Sequence, residues 1–133
     1  MTFNYETEIR PHIHSFFEDR GYRVFDEARL FARNIDVVGK RRDEICAVEI
    51  KIHDWKRAIE QACLNLRIAD YSYVALPEST WARLNKRLYK DVQETGLGVI
   101  SVDGFAKEVI EPAPSDRVQP LLREKFLTRL LVG

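Results

Sequence analysis

The chain has 133 residues, of which 45% are hydrophobic and 32% charged, a balance typical of one globular domain with its own core. Basic and acidic residues number 21 each, so the net formal charge of zero gives no support to a nucleic-acid partner, although a local basic patch matters more than the sum. The N-terminal sequence lacks the features of a signal peptide, and no apolar stretch is long enough to span a membrane. Cys46 and Cys63 lack the spacing of a zinc site and are typical of reduced, buried thiols. We therefore expect a cytoplasmic protein with no membrane partner.

Hydrophobic periodicity and turn residues predict the helices and strands in chain order. Asn4 is the expected N-cap of the first helix and Gly21 its stop; Ser79 or Thr80 is the expected cap of the third helix, which Gly96 ends. The predicted helices cover residues 5–20, 55–69, 80–94 and 118–131, and the predicted strands cover 22–31, 33–39, 44–52, 71–76, 97–103 and 106–111, with a charged hairpin tip at 40–43.

The order of these elements indicates the fold class. The first three strands follow one another as a meander, whereas later strands alternate with helices. This order favours an α/β fold with a mixed β-sheet and helices on both faces. The central strands of such a sheet are buried on both sides, so a charge on one of them has little solvent to face.

Charged residues interrupt two of the predicted central strands. Side-chain alternation puts Val48 and Ile50 on an apolar face of the third strand, and Glu49 and Lys51 together on its other face. Asp36 interrupts the apolar residues of the second strand, where aspartate is unfavourable. If the charged tip closes a hairpin, Asp36 comes opposite the part of the third strand that carries Glu49. Two carboxylates and one ammonium then meet.

This group of charges suits a divalent metal. Two carboxylates in one partly buried place repel each other, and one pKa rises unless a cation lies between them. Carboxylate oxygens are ligands that magnesium prefers, and an ammonium beside the metal can orient a water or stabilise developing charge. The alternative is ordinary: Glu-x-Lys on a strand usually faces water or pairs with neighbouring strands.

The residues resemble the PD-(D/E)XK nuclease family. Asp36 preceded by Ile35, and then Glu49-Ile50-Lys51, correspond to the family motif, with isoleucine in place of the family proline. The family core is a helix, a three-stranded meander, a second helix and a fourth strand, an order that residues 5–94 match. The resemblance implies a restriction endonuclease-like domain over residues 1–133, with residues 97–133 as added strands and a helix.

The resemblance implies metal-dependent hydrolysis of phosphodiester bonds in nucleic acid, with DNA the expected substrate and endonuclease or exonuclease action left open. Asp36, Glu49 and the carbonyl of Ile50 would bind Mg²⁺ or Mn²⁺. Lys51 would position the attacking water or help to deprotonate it. These are the catalytic and metal-binding residues that the resemblance predicts.

Three further positions are candidates for the same site. Many family members add a glutamate from the first helix; helical periodicity places Glu6 near the buried face and Glu8 well off it, so Glu6 is preferred as a metal ligand. Glu27 is either a ligand or supporting group, or a solvent-facing strand residue. Gln61 is either a supporting group beside the metal or an exposed residue without a role.

Basic residues cluster on the hairpin tip and on two predicted helices. Most such clusters are solvated faces, but beside a nuclease core they become candidate phosphate contacts. The candidate nucleic-acid-binding residues are Arg41, Arg42, Lys56, Arg57, Arg83, Lys86, Arg87 and Lys90.

Two questions remain open from the sequence. The leucine-rich last helix either packs on its own domain or forms a homodimer, which would supply two active sites for cutting both strands of a duplex. The alternatives to a nuclease are a catalytically inactive nuclease-fold domain that binds nucleic acid or a protein partner, and a plain α/β interaction domain in which the motif is coincidental.

Overall fold

A computed structural model describes residues 3–132. Within these residues, four helices and six strands follow one another in the predicted order. The elements are α1 (Glu6–Glu18), β1 (Arg23–Leu30), β2 (Arg33–Arg41), β3 (Glu44–Ile50), α2 (Trp55–Asn65), β4 (Tyr71–Pro77), α3 (Glu78–Thr95), β5 (Gly98–Val102), β6 (Ala106–Ile110) and α4 (Pro120–Val132).

The six strands form one mixed sheet in sequence order, from β1 to β6. β1, β2 and β3 pair antiparallel as a meander, β3, β4 and β5 pair parallel through the crossover helices α2 and α3, and β6 returns antiparallel. The expected α/β class, with a mixed sheet flanked by helices, is therefore confirmed. Because β3 and β4 are parallel central strands, their carboxyl ends lie side by side at one edge of the sheet.

Helices cover both faces of the sheet. The apolar stripe of α1 packs on one face, against alternate residues of β2, β3, β4 and β5. On the other face, α2 and α3 cover β4 and β5, while α4 covers the meander through its buried Phe126. Cys46 is buried in the α1 layer and Cys63 is partly buried. No helix within residues 3–132 is long and apolar enough to cross a membrane.

Two predicted helix caps are wrong. The N-cap of α1 is Tyr5 rather than Asn4, because the Glu8 carboxylate folds back and its Oε1 accepts the backbone N–H groups of Asn4 at 3.2 Å and Tyr5 at 3.1 Å. The N-cap of α3 is Pro77 rather than either predicted residue. Thr80 is instead buried inside the helix, where its hydroxyl donates to the carbonyl of Ile52 at 3.4 Å.

Several predicted boundaries move for packing reasons. Strands β2 and β3 stay paired up to Arg41 and Glu44, so the tip is a two-residue turn rather than residues 40–43. Helix α2 ends at Asn65 rather than at 69, because the chain turns there to bury Ile68 and Ala69 under α4. The predicted stop of α3 is confirmed, since Gly96 caps that helix with φ 77°, a left-handed conformation favourable for glycine.

The last helix packs on its own domain along one side. Phe126 is buried, and Leu122, Leu127 and Leu130 are partly buried against the same cluster. Leu121 stays 76% exposed on the outer side. Homodimer formation through that outer side stays a prediction.

Candidate active site

The candidate site lies where β2 and β3 diverge. Their ladder ends with the pair Val37–Val48, so the next residues along the two strands, Asp36 and Glu49, face each other across the opening. The sequence predicted that a hairpin closed by the charged tip brings Asp36 opposite this part of β3. Lys51 follows directly after the end of β3, and its backbone N–H donates to the carbonyl of Ala75 on β4 at 3.1 Å.

A local break in β1 and β2 shapes the same place. Their ladder passes from Asp26–Val37 to Ala28–Ile35 and omits the intervening Glu27 and Asp36. Glu27 has φ 51°, a left-handed conformation that non-glycine residues rarely adopt. The break frees the backbone carbonyl of Asp36 from the ladder, and the Arg10 guanidinium binds it at 2.6 Å. The backbone of Asp36 is therefore held from α1 rather than from β1.

The Asp36 side chain is fixed through one oxygen. Its Oδ2 accepts the backbone N–H of Ile50 at 2.7 Å. Burial raises the pKa of Asp36, and nearby Glu27 adds to this, while the Ile50 N–H and the Lys51 ammonium oppose it. Among residues 3–132, no hydrogen bond engages the second oxygen of this carboxylate.

Glu49 is 1% exposed and is held by a polar pair from two other elements. Its Oε2 accepts the Asn65 amide N–H at 2.8 Å and lies 3.2 Å from Nη1 of Arg33. The same guanidinium donates to the backbone carbonyl of Gln61 at 3.0 Å and to the side chain of Asn65. Burial raises the pKa of Glu49 to about 7, with the negative charge of Asp36 adding to the rise.

Lys51 faces the first helix. Its Nζ lies 3.6 Å from Oε1 of Glu6, which places Glu6 beside the motif, as periodicity predicted. The Glu8 carboxylate instead accepts backbone N–H groups at the start of α1. Glu6, Arg10 and His14 recur every four residues and form one polar stripe on α1.

The two remaining candidates lie near the site in different ways. Glu27 is half-exposed, and its Oε1 accepts from Nη2 of Arg10 at 2.8 Å, while its role as a ligand or supporting group stays a prediction. Gln61 is partly buried, and its side-chain Oε1 is fully buried without a hydrogen-bond partner among the described residues.

Sequence reasoning missed Arg10, Arg33 and Asn65. A usable signal existed for Arg10, because a basic residue between Glu6 and His14 at four-residue spacing can meet the consecutive acids that β1 carries at 26–27. No signal marked the other two, since Arg33 opens a strand and Asn65 ends a helix, where polar residues are ordinarily solvated.

The predicted nucleic-acid-binding residues lie in separate regions. Lys56 and Arg57 are exposed in the first turn of α2, just after the motif, and the four basic residues of α3 are exposed along the side opposite its buried stripe. Arg41 and Arg42 lie at the hairpin tip. Asp36 and Arg41 are five residues apart on β2, so the tip is about 17 Å from the carboxylates at the rise of an antiparallel strand.

The donor set fits a magnesium-type ion without requiring one. Asp36 and Glu49 each commit one oxygen to the protein and keep the other, and Mg²⁺ commonly takes one or two carboxylates together with waters and substrate phosphates. Residues 3–132 contain no group of three or more His, Cys, Asp and Glu side chains arranged to hold an ion. A metal would therefore depend on two carboxylates, a backbone carbonyl and its substrate.

Comparisons with known proteins support the fold alone. No protein-family model matches the chain, and no curated protein matches it. The chain is similar to the solved structure of a protein of unknown function from Silicibacter pomeroyi, with a TM-score of 0.74 and 17% identity over 99% of this chain and 87% of that one. SfsA of Pyrococcus furiosus, solved in complex with Ca²⁺, aligns over 81% of this chain and 59% of its own, at 15% identity and a TM-score of 0.42, too low to define a shared fold.

Proposed function

We propose that this protein is a metal-dependent nuclease that hydrolyses phosphodiester bonds in nucleic acid, with DNA as substrate. One observation carries the proposal: Asp36 and Glu49 face each other where β2 and β3 diverge, and Lys51 follows at the carboxyl end of β3. Two buried or half-buried carboxylates with raised pKa values, beside an ammonium, are costly for folding, so their convergence supports a functional site.

Each residue has a proposed role. Asp36, Glu49 and the carbonyl of Ile50 would hold Mg²⁺ or Mn²⁺, which when bound supplies charge neutralisation at the phosphate and activates water. Lys51 provides an ammonium that orients the attacking water and offsets charge developing on the phosphate. Glu6 holds that ammonium from α1, and its predicted role as a third metal ligand stays a proposal.

Substrate binding is proposed to use the exposed basic residues nearest the motif. Lys56 and Arg57 are exposed in the first turn of α2, which follows the loop after Lys51, and α3, which carries the other basic residues, follows the neighbouring strand β4. Cations of this kind contact phosphates without reading bases, which suits a nuclease of low sequence specificity.

A cleavage assay tests the proposal. Supercoiled plasmid and single-stranded DNA are incubated with wild type and with Asp36→Asn, Glu49→Gln and Lys51→Ala, in Mg²⁺, in Mn²⁺ and in EDTA. We expect cleavage that requires metal and falls at least about 100-fold in each variant. Glu60→Gln, which changes an exposed carboxylate on α2, is the control and keeps full activity. Equal cleavage by wild type and the three site variants contradicts the proposal.

A second candidate is a catalytically inactive nuclease-fold domain that binds nucleic acid or a protein partner. The observation that favours it is Arg33, whose guanidinium lies 3.2 Å from the Glu49 carboxylate and already compensates part of its charge. Calorimetric titration with Mn²⁺ separates the two candidates. Binding that Glu49→Gln abolishes supports the nuclease, whereas absence of binding to wild type, alone and with DNA, favours the inactive domain.

A further inference from the structure

A basic pocket lies at the tip of the β2–β3 hairpin, at the far end of these strands from the carboxylates. It has a volume of about 610 Å³. Its lining residues are Gly21, Arg23, Lys40, Arg41 and Arg42. Four of these five residues are basic and none is acidic, although the whole chain has a formal net charge of zero. The pocket is therefore a local concentration of positive charge that the composition does not require.

Two of the four cations keep their hydrogen-bond donors available. Within residues 3–132, the side chains of Arg23 and Arg42 have no hydrogen-bond or ion-pair partner, and Arg23 only lies over the Phe25 ring, with Cζ 4.7 Å from the centroid. Arg41 is committed instead, because its guanidinium contacts the carbonyl of Arg20 at 2.8 Å and also Glu44. Arg41 thus forms a fixed wall of the pocket, beside two free guanidinium groups.

The backbone at the tip fixes the position of one of these side chains. Arg42 has φ 53°, a left-handed conformation that glycine adopts without steric penalty and that other residues adopt at a cost. The ammonium of Lys40 donates to the carbonyl of Arg42 at 2.6 Å and helps to hold this turn. The two-residue turn requires this positive φ, so the turn itself holds the Arg42 side chain at the tip of the hairpin.

We propose that this pocket binds a backbone phosphate of duplex DNA about five base pairs along the helix axis from the phosphate that is cleaved, since about 17 Å separates tip and carboxylates and a duplex advances about 3.4 Å along its axis per base pair. The planar forks of Arg23 and Arg42 match the bidentate geometry of phosphate oxygens. The inference rests on the proposed function and adds a minimum substrate length to it. Shorter oligonucleotides lose this contact and bind weakly.

Salt-dependent binding tests the pocket without cleavage. Fluorescence anisotropy of labelled duplex DNA is measured in EDTA across a range of KCl concentrations. We expect the double variant Arg23→Gln/Arg42→Gln to lower the slope of log K against log salt by about 2 and to weaken binding at least about 10-fold at low salt. The matched control, Lys125→Gln/Arg129→Gln, removes two exposed cations on α4. We expect it to leave the slope of log K against log salt unchanged. Equal slopes for the pocket variant and wild type overturn the proposal.

A glycine substitution separates binding from folding. Arg42→Gly removes the guanidinium and also relieves the left-handed strain, so we expect an unchanged or higher Tm together with a slope lowered by about 1. Wild-type DNA affinity in this stably folded variant overturns the proposal. Loss of affinity cannot then be assigned to unfolding.

Two further measurements distinguish the pocket from the proposed nuclease. ¹⁵N resonances of the arginine side chains are followed during titration with inorganic phosphate and with DNA duplexes of 4 to 16 base pairs. Saturable shifts of Arg23 and Arg42 that require more than about five base pairs support the pocket, even if no metal supports cleavage and the nuclease proposal falls. Cleavage by wild type without these shifts overturns the pocket and leaves the nuclease standing. Equal shifts with free phosphate and every oligonucleotide identify a simple anion site and overturn the proposal.

Discussion

Two arginine–glutamate ion pairs lie at opposite ends of the β2–β3 hairpin. Their N···O distances are similar, but their side chains differ in burial. At the open end, Arg33 lies 3.2 Å from Glu49, with side chains 23% and 2% exposed. At the tip, Arg41 lies 3.3 Å from Glu44, with side chains 45% and 30% exposed. Each arginine terminates β2 and each glutamate lies near an end of β3. Similar geometry therefore occurs in two very different dielectric surroundings.

The difference shows why one pair organises a site and the other covers a surface. A buried carboxylate loses hydration that its partners must replace, so the Asn65 amide and the Arg33 guanidinium both converge on one oxygen of Glu49. The tip pair stays hydrated and screened by salt, which makes its contribution small. Three predictions test this contrast.

The largest effect is expected from breaking the buried pair. Arg33→Met leaves the Glu49 charge without its cation, and we expect the free energy of unfolding at pH 8 to fall by about 3 kcal/mol. Urea denaturation with and without Glu49→Leu in the same chain measures the coupling between the two residues. The double variant should recover most of the loss, because paired hydrophobic replacements remove the uncompensated charge.

Arg29→Met is the matched control. Arg29 is exposed on the edge strand β1 and has no described hydrogen bond or ion pair, so its replacement should change stability by less than about 0.5 kcal/mol. A loss from Arg33→Met no larger than this control contradicts the buried-pair interpretation.

The sequence predicted the positions of the two carboxylates better than the groups that bind them. Alternation along β3 and the meander order bring Asp36 opposite Glu49, because both rules depend only on local geometry. Arg33 reaches Glu49 across 16 positions and Asn65 reaches it from the end of α2, so their contacts depend on how α2 packs over the sheet. A polar residue at the end of a helix or strand has no periodicity that distinguishes burial from exposure.

A smaller effect concerns pH. The pKa of Glu49 is about 7 in the folded protein against an ordinary value of 4.5, so the folded state binds this proton more tightly than the unfolded state. Below pH 4.5 both states are protonated; as pH rises through the window from 4.5 to about 7, this stabilising contribution is lost. Metal-free wild type should therefore lose on the order of 1 to 3 kcal/mol of stability between pH 5 and 8 relative to Glu49→Gln.

Urea denaturation in EDTA at several pH values measures this difference. The variant isolates Glu49 because every other titrating group is retained, including Asp36. Parallel stability profiles for wild type and Glu49→Gln would contradict the raised pKa.

The smallest effect is expected at the tip. A double-mutant cycle with Arg41→Gln and Glu44→Gln should give a coupling energy below about 1 kcal/mol, and added NaCl should reduce it because both side chains are partly hydrated. Arg41 keeps its contact with the Tyr22 ring as an independent reason for its position, with Cζ 4.4 Å from the ring centroid. A single Arg41 variant therefore loses more stability than the ion pair contributes, and only the double-mutant cycle isolates the energy of the ion pair. A coupling as large as that of Arg33 and Glu49, unchanged by salt, would show that burial does not separate the two ends of the hairpin.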